Sequence, residues 1–595
     1  MIHVQTVHLH TKLAENRYLV LLLVLCLGIT TQIRGSTSRH GPTPSANGRP
    51  AFTSEAERSG ASQVPRGTGE PVHTEALAKI GATAYHAQGH RGAGARVAVI
   101  DSHFAGWEAR VAAGELPADV ITRRFAADGA ITATLTPGDV AHGVACAESV
   151  HDIAPDATLY LIQVESLRQG IEPVFDYLRE EEIRVASLSM SIAAESRGDG
   201  QGVLSDKPVP IYALLARAKA EGLLMVKSAG NYATRHYSGQ FTDTDQNGWH
   251  EFGRSWLQLD EELDLQVNEG ADVEITLSWD DWGDDPMAPA ATHDYGLTLY
   301  DAAGQVVTHS TEVQAGSSAP VDTLRFTAPT AARYSLRIRR GNGPPPATHR
   351  VKVRIRGEDA MLLEYRTPAN SLGVPADSAD VLTISAADVT TGEIMPYSSQ
   401  GPTLDGRIKP DLTGYTNVSV SGEEQPPRGF GGTSAAAPHI AGMAALLWRV
   451  PAYQDLTVDG LIAQLFAAAA DRGARGKDVV WGAGLAQLPA LAPELTIVSA
   501  PRSHAEQRRR FFIEIAVQRA DGQPITGLRP ADFAIRLSQE PTEILSVREI
   551  DGRYTLDFQA PEALPQGEHE MTVAALGRSV AQILPIPRPH PNDEA

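Results

Sequence analysis

The stretch Gly432-Thr433-Ser434-Ala435-Ala436-Ala437-Pro438-His439 runs into Ile440-Ala441-Gly442-Met443-Ala444-Ala445-Leu446-Leu447 and on to Trp448 with apolar residues on almost every side. A helix without a polar face cannot lie on a surface, so it has to run through a core with other elements layered around it. Thr433 or Ser434 can cap this helix, and Pro438 falls in the first turn, where its missing N–H is not needed. The small side chains at the helix mouth let another backbone approach Ser434 closely, and the first free N–H groups point at whatever binds there. Serine before an apolar helix is most often a cap and nothing more, so a chemical role depends on partners elsewhere in the chain.

A serine hydroxyl needs a base to take its proton, and the base needs an orienting acid. Arg96-Val97-Ala98-Val99-Ile100-Asp101 is a short apolar run ending in an acid, the pattern of a buried parallel strand that delivers a carboxylate at its C-terminal end. Ligands bind at that edge of open α/β sheets. Ala141-His142-Gly143-Val144 places a histidine at a helix start, and the strand Leu223-Leu224-Met225-Val226-Lys227 leads into Ser228-Ala229-Gly230-Asn231. Taken singly, Asp101 reads as a turn former, His142 as a surface residue and Asn231 as a turn residue after Gly. Their order, Asp then His then Ser, is the order found in subtilisin.

The strings Val97-Ala98-Val99-Ile100-Asp101, His142-Gly143, Ser228-Ala229-Gly230-Asn231 and Gly432–His439 together resemble the subtilisin-like (subtilase) serine protease family, over roughly residues 75–235 and 362–490. The resemblance implies a parallel sheet with helices on both faces, Ser434 as nucleophile, His142 as general base and Asp101 as its orienting acid. It also implies Asn231 as side-chain oxyanion donor, with the Ser434 N–H as the second. Substrate would pair as an extended strand with Val185–Ser191 through Ser187, Leu188 and Ser189, while Ser228, Ala229 and Gly230 line the first pocket. The chain departs from the family pattern at Ser102 and His103, Val144, Ser191 and Ala435, which removes no catalytic atom and alters pocket shape. Cys146, one helical turn after His142, reads as a small buried hydrophobe rather than a rival nucleophile.

About 200 residues separate Asn231 from Ser434, more than one typical domain of ~150 residues. Residues 240–360 carry period-2 segments such as Val273–Trp279 and Tyr334–Ile338 between Gly, Asp and Pro turns, which predicts a β-sandwich inserted into the catalytic domain. The expected catalytic parts are therefore 71–239 and 361–494. At the start of the insert, Asp243, Asp245 and Asn247 resemble the first half of a calcium loop, but Arg254 stands where an EF-hand would place Glu. Asp280, Asp281, Asp284 and Asp285 form a second acidic run. Residues 495–584 alternate again and predict an immunoglobulin-like β domain, followed by a Pro-rich tail, 585–595.

Lys12 and Arg17 precede an uncharged run from Tyr18 to Thr30, so residues 1–35 read as a signal peptide or N-terminal anchor, with 36–70 a flexible leader. The two cysteines, Cys26 and Cys146, predict no disulfide once the first is removed. A net charge of −21 disfavours nucleic acid and anionic membranes. The expected function is a secreted serine endopeptidase acting on polypeptide; the alternative is a catalytically silent surface protein that binds polypeptide on a protease fold.

Overall fold

The computed structural model describes residues 71–587, apart from 166, 193, 206–209, 255–258, 311, 315, 317, 342–348, 358, 422–428, 492–493, 505–506, 508 and 519–522. The expected signal segment, the leader 36–70 and the last part of the tail lie outside the described residues. Among those that are described, no helix is long and apolar enough to cross a membrane.

Two short helices, α1 (Ala76–Lys79) and α2 (Ala82–Ala87), lead into the first strand. The central sheet contains β1 (Arg96–Asp101), β2 (Ile121–Phe125), β3 (Ile131–Thr132), β4 (Thr158–Val164), β5 (Val185–Leu188) and β6 (Leu224–Ser228), joined after a long excursion by β18 (Val381–Asp388) and β19 (Leu412–Thr416). Their order across the sheet is β19-β18-β6-β5-β1-β4-β2-β3, and every pairing is parallel except β2 with β3.

The unbroken apolar run in β1 follows from burial on both faces. Val97 and Val99 point into a core shared with α4 (His142–Ile153) and α7 (Thr433–Leu447). Ala98 and Ile100 point the other way, into a core shared with α5 (Leu167–Glu180) and α6 (Ile211–Ala220). The remaining helices are α3 (Trp107–Ala113) and α8 (Val458–Ala468). As its composition requires, α7 runs through the interior: every residue of it is buried except Ser434. It lies so close to α4 that a Cβ on Gly442 would stand 2.7 Å from the Ile153 Cβ and 3.1 Å from the Val150 carbonyl oxygen.

Between β6 and β18 the chain builds two antiparallel sheets and a small hairpin, β8 (Gly253–Arg254) with β9 (Leu259–Asp260). One sheet runs β13-β12-β15-β10-β17 and the other β14-β11-β16-β7. The strands are β7 (His236–Gln240), β10 (Leu263–Val267), β11 (Asp272–Trp279), β12 (Tyr295–Tyr300), β13 (Val306–His309), β14 (Val321–Thr327), β15 (Ala332–Arg340), β16 (Arg350–Arg356) and β17 (Ala360–Leu362). Leu263, Leu265, Leu297, Leu299, Leu336 and Ile338 from the first sheet meet Ile275, Leu277, Val351, Val353 and Ile355 from the second in a single core. This is the period-2 pattern turned into packing, with alternate residues facing inward.

The C-terminal part comprises β20 (Glu494–Ile497), β21 (Arg502–Ser503), β22 (Arg510–Gln518), β23 (Phe533–Leu537), β24 (Glu540–Ile550), β25 (Arg553–Gln559), β26 (Gly567–Ala575) and β27 (Arg578–Ile586), a further antiparallel sheet of order β20-β22-β25-β24-β23-β26-β27 with β21 beside β22. Its outer strands β20 and β27 approach each other, so the sheet winds nearly into a ring. Phe511, Ile513, Ile515 and Val517, alternating along β22, fill it together with Leu556, Phe558, Met571 and Val573.

Candidate active site

Asp101 ends β1 at the carboxyl edge of the sheet and is 1% exposed. Its two oxygens do different things. Oδ1 accepts the Ser102 and His103 amides at 2.8 and 3.2 Å, and Oδ2 lies 2.7 Å from His142 Nδ1. A buried carboxylate acts as an acceptor, so the imidazole proton belongs on Nδ1 and the lone pair on Nε2. His142 opens α4, and the residue after it must be small. A Cβ on Gly143 would meet the His103 carbonyl oxygen at 2.6 Å and the Asp101 Cβ at 2.8 Å. Phe430 packs edge-on against the imidazole, with ring centroids 5.7 Å apart.

Ser434 sits in the first turn of α7, the buried helix beside α4. The Cys146 thiol, one turn along α4 from His142, donates to the Ser434 carbonyl at 3.6 Å and so ties the two helix starts together. Burial pushes this thiol well above its ordinary pKa, which keeps it neutral and leaves it a packing residue. Ser434 and Ser189 bond each other twice: Ser434 Oγ donates to the Ser189 carbonyl at 3.1 Å, and Ser189 Oγ donates to the Ser434 carbonyl at 3.0 Å.

Asn231 follows β6 at the same edge. Its Oδ1 accepts both the Thr433 N–H and the Thr433 hydroxyl, each at 3.0 Å, so the amide orientation is fixed with Nδ2 free to donate elsewhere. The Thr433 hydroxyl also accepts the Gly230 N–H at 3.1 Å. Gly432, at φ +83°, is where only glycine fits, because a Cβ there would stand 2.9 Å from Asn231 Nδ2. The Asn231 carbonyl is gripped in turn by Arg235 at 2.9 Å, and the same guanidinium reaches the Gly357 carbonyl at 2.6 Å. The sequence marks Thr433 or Ser434 as the helix cap, but Gly432 holds the cap position and no side chain caps it, because the Thr433 hydroxyl is turned to Asn231 and Gly230 instead.

The residues expected to bind substrate are distributed differently from the expectation. β5 is flanked by β1 and β6, so it has no free edge, and Ser187 and Leu188 are 0% and 1% exposed. An extended peptide can reach only Ser189 and the partly exposed Met190 and Ser191 beyond the strand end. Ser228 and Ala229 are likewise buried, with Ser228 Oγ accepting from the buried Lys227 ammonium at 2.9 Å. Burial pushes that ammonium down to about 7.

In the loop expected to resemble a calcium site, several oxygens are engaged within the protein, while Asp243 Oδ1 is buried without a hydrogen-bond partner among the described residues. Asp243 Oδ2 accepts the Gly248 N–H at 3.1 Å and lies 3.6 Å from the Arg340 guanidinium. Asn247 Nδ2 donates to Asp245 Oδ2 at 3.0 Å and to Glu261 Oε1 at 2.6 Å.

Residues 357–484 match the model of the Subtilase family, Peptidase_S8. The chain carries a subtilase segment. That segment contains Ser434, and β1, α4 and the end of β6 bring Asp101, His142 and Asn231 to the same edge of the sheet. Among solved structures, the chain is similar to the CspB protease of Clostridium perfringens, at 14% identity over 70% of this chain and 97% of that one, with a TM-score of 0.47. A lanthipeptide protease is similar at 16% identity, 69% and 92% coverage and a TM-score of 0.36. A mutant of the epidermin leader peptide processing serine protease of Staphylococcus aureus is similar at 13%, 70% and 80%, with 0.35.

Proposed function

We propose that this subtilase is a secreted serine endopeptidase. The observation that carries the reading is the 2.7 Å contact between buried Asp101 and His142 Nδ1, made beside the first turn of the helix that presents Ser434. Ser434 Oγ attacks the scissile carbonyl while His142 Nε2 takes its proton, and Asp101 stabilises the resulting imidazolium. Asn231 Nδ2 and the Ser434 N–H receive the oxyanion. His142 returns the proton to the leaving amine, and water then cleaves the acyl-enzyme by the same route in reverse. The peptide backbone lies along Ser189–Ser191, and Ser228, Ala229 and Gly230 form the wall behind the first pocket.

The domain reading that accompanies this is a catalytic domain in two parts, 71–239 and 361–494, holding a β-sandwich at 240–360 and followed by an immunoglobulin-like domain at 495–584. An N-terminal signal or anchor at 1–35 would carry the enzyme out of the cytoplasm. Asp243, Asp245 and Asn247 supply oxygens for a structural Ca²⁺, although Arg340 already compensates the Asp243 charge, and no step of the reaction uses an ion there.

Labelling with a serine-directed fluorophosphonate tests the chemistry without a known substrate. The native chain should take up one probe at Ser434, and Ser434→Ala should take up none. A correctly folded native chain that stays unlabelled would favour the silent, polypeptide-binding alternative.

A further inference from the structure

Of the acidic run Asp280, Asp281, Asp284 and Asp285, one member faces two histidines. Trp279 on β11 pairs with Val351 on β16, so the antiparallel register, continued two residues outward, sets Asp281 opposite His349. The Asp280 carboxylate accepts the Arg350 N–H at 2.9 Å, which holds the two chain ends together at that point. The third group comes from the other sheet. Tyr295, the first residue of β12, packs its ring on Trp279 at 5.2 Å, which brings His293 over the end of the β11–β16 pair. The ligand atoms of Asp281, His293 and His349 all lie within 4.8 Å of one another.

Each member of the triplet turns a ligating atom toward the other two. Asp281 Oδ2 accepts the Thr292 and His293 amides, both at 2.7 Å, and faces His293 Nδ1 at 3.0 Å. Asp281 Oδ1 has only a long contact, 3.4 Å, from the Thr292 hydroxyl. His293 Nδ1 thus faces the carboxylate, and an ion held between them would take the place of the proton they share. His349 Nδ1 lies 3.2 Å from the Tyr295 hydroxyl, which leaves Nε2 as its ligating atom. The two imidazoles meet edge to face with centroids 4.3 Å apart. Metal-bound histidines characteristically have their second nitrogen held by a polar group, as the Tyr295 hydroxyl holds that of His349, which fixes tautomer and ring direction. All three residues are partly exposed, so an ion can enter from solvent.

We propose that Asp281, His293 and His349 bind a divalent transition ion of the zinc type. Two imidazole nitrogens and one carboxylate oxygen form a ligand set that suits Zn²⁺, with water completing four-coordination. The alternating-oxygen loop at 243–248 offers no such nitrogen donors, and Ca²⁺ and Mg²⁺ prefer all-oxygen sites, so the two loops differ in the ion they select. Because its ligands come from both sheets, the ion acts as a clip at one end of the insert, joining the β11–β16 pair to the start of β12.

The test uses the full chain stripped with a chelator and titrated with Zn²⁺ by calorimetry, with Co²⁺ as a spectroscopic stand-in. The expected result is one ion per chain at micromolar affinity or tighter, visible d–d bands of a four-coordinate site with Co²⁺, and a metal-dependent rise in the unfolding midpoint. His293→Ala and His349→Ala should each abolish that binding. Tyr295→Phe removes only the hydroxyl that holds His349 and should weaken affinity about 10-fold or more while the metal-free unfolding midpoint stays near that of the native chain. No binding by the native chain would overturn the proposal, and this outcome needs no variant to fold. Binding that persists undiminished in both histidine variants would overturn it too, by placing the ion elsewhere, for instance at Asp101, His142 and Cys146.

Discussion

Replacing Thr433 by valine would test the oxyanion arm of the site through a residue that never touches substrate. The side chain is 1% exposed, and its hydroxyl both donates to Asn231 Oδ1 and accepts the Gly230 N–H. Valine keeps the shape and deletes both bonds, while the Thr433 N–H still reaches Asn231 Oδ1 at 3.0 Å. In subtilisin, loss of such an amide donor costs about 10²–10³ in kcat. With one of two anchors retained, Thr433→Val should forfeit about half of that in free-energy terms, roughly 10- to 30-fold, or about 1.4–2 kcal/mol of transition-state stabilisation. Because the interaction acts only on the developing oxyanion, kcat and kcat/KM should fall together with KM unchanged. Leaving the buried Gly230 N–H without its acceptor should also cost about 1–3 kcal/mol of stability. The assay is the second-order rate of fluorophosphonate labelling, supported by turnover of a chromogenic peptide once one is found by cleavage profiling. A double-mutant cycle with Asn231→Ala decides the cause: if Thr433 acts through Asn231, adding Thr433→Val to Asn231→Ala changes the rate little. Fully multiplicative losses, or a Thr433→Val enzyme with native kcat, would refute the coupling.

Other consequences are open to measurement. Gly442→Ala forces a methyl between α7 and α4 and should destabilise the fold by about 1–3 kcal/mol, seen as a lower denaturation midpoint. Glu195, 5% exposed, lies 2.7 Å from Arg354 and 3.1 Å from Arg356; Arg356 also has Glu274 at 3.1 Å, but Arg354 has no second carboxylate among the described residues, so Glu195→Ala leaves one buried guanidinium uncompensated and should cost about 3 kcal/mol. His439, fully buried between Thr74 Oγ1 at 2.9 Å and the Ala435 carbonyl at 2.7 Å, is pushed down to about 4 by burial. Since the folded state holds this group neutral, its contribution is complete above the unfolded value of 6.5 and is lost as pH falls from there through about 4. At about 1.4 kcal/mol per unit this is on the order of 3 kcal/mol, and His439→Gln should flatten the acid limb of a stability–pH curve. His142→Ala should abolish probe labelling. Full labelling by the His142 variant would remove it from the reaction.

Much of the central fold was legible because burial leaves a direct mark on composition. The apolar run of β1 could only be a strand covered on both faces, and the helix after Ser434 could only be internal. The period-2 segments of the insert and of the C-terminal sheet were equally readable, since one inward face per strand is what alternation encodes. What could not be read was adjacency. Sheet order decides that β5 is sandwiched between β1 and β6, so Ser187 and Leu188 are sealed and only Ser189 reaches the edge. Thr433 carries the ordinary mark of a helix cap, and its grip on Asn231 exists only because β6 and α7 converge. Likewise Asp281, His293 and His349 share no spacing that a motif could capture; the β11–β16 register and the Tyr295 ring on Trp279 create their proximity.

Arg235 gives the insert a meaning beyond its own two sheets. One guanidinium spans the Asn231 carbonyl and the Gly357 carbonyl just after β16, so the amide that would face the oxyanion shares a brace with the strand that closes the insert. An excision that rejoined the chain across the insert would take away Gly357 and with it half of that brace. On the proposed reading the segment between β6 and β18 is therefore more than a passenger: a shift of β16 would be passed over a single side chain to Asn231, the amide assigned to the oxyanion.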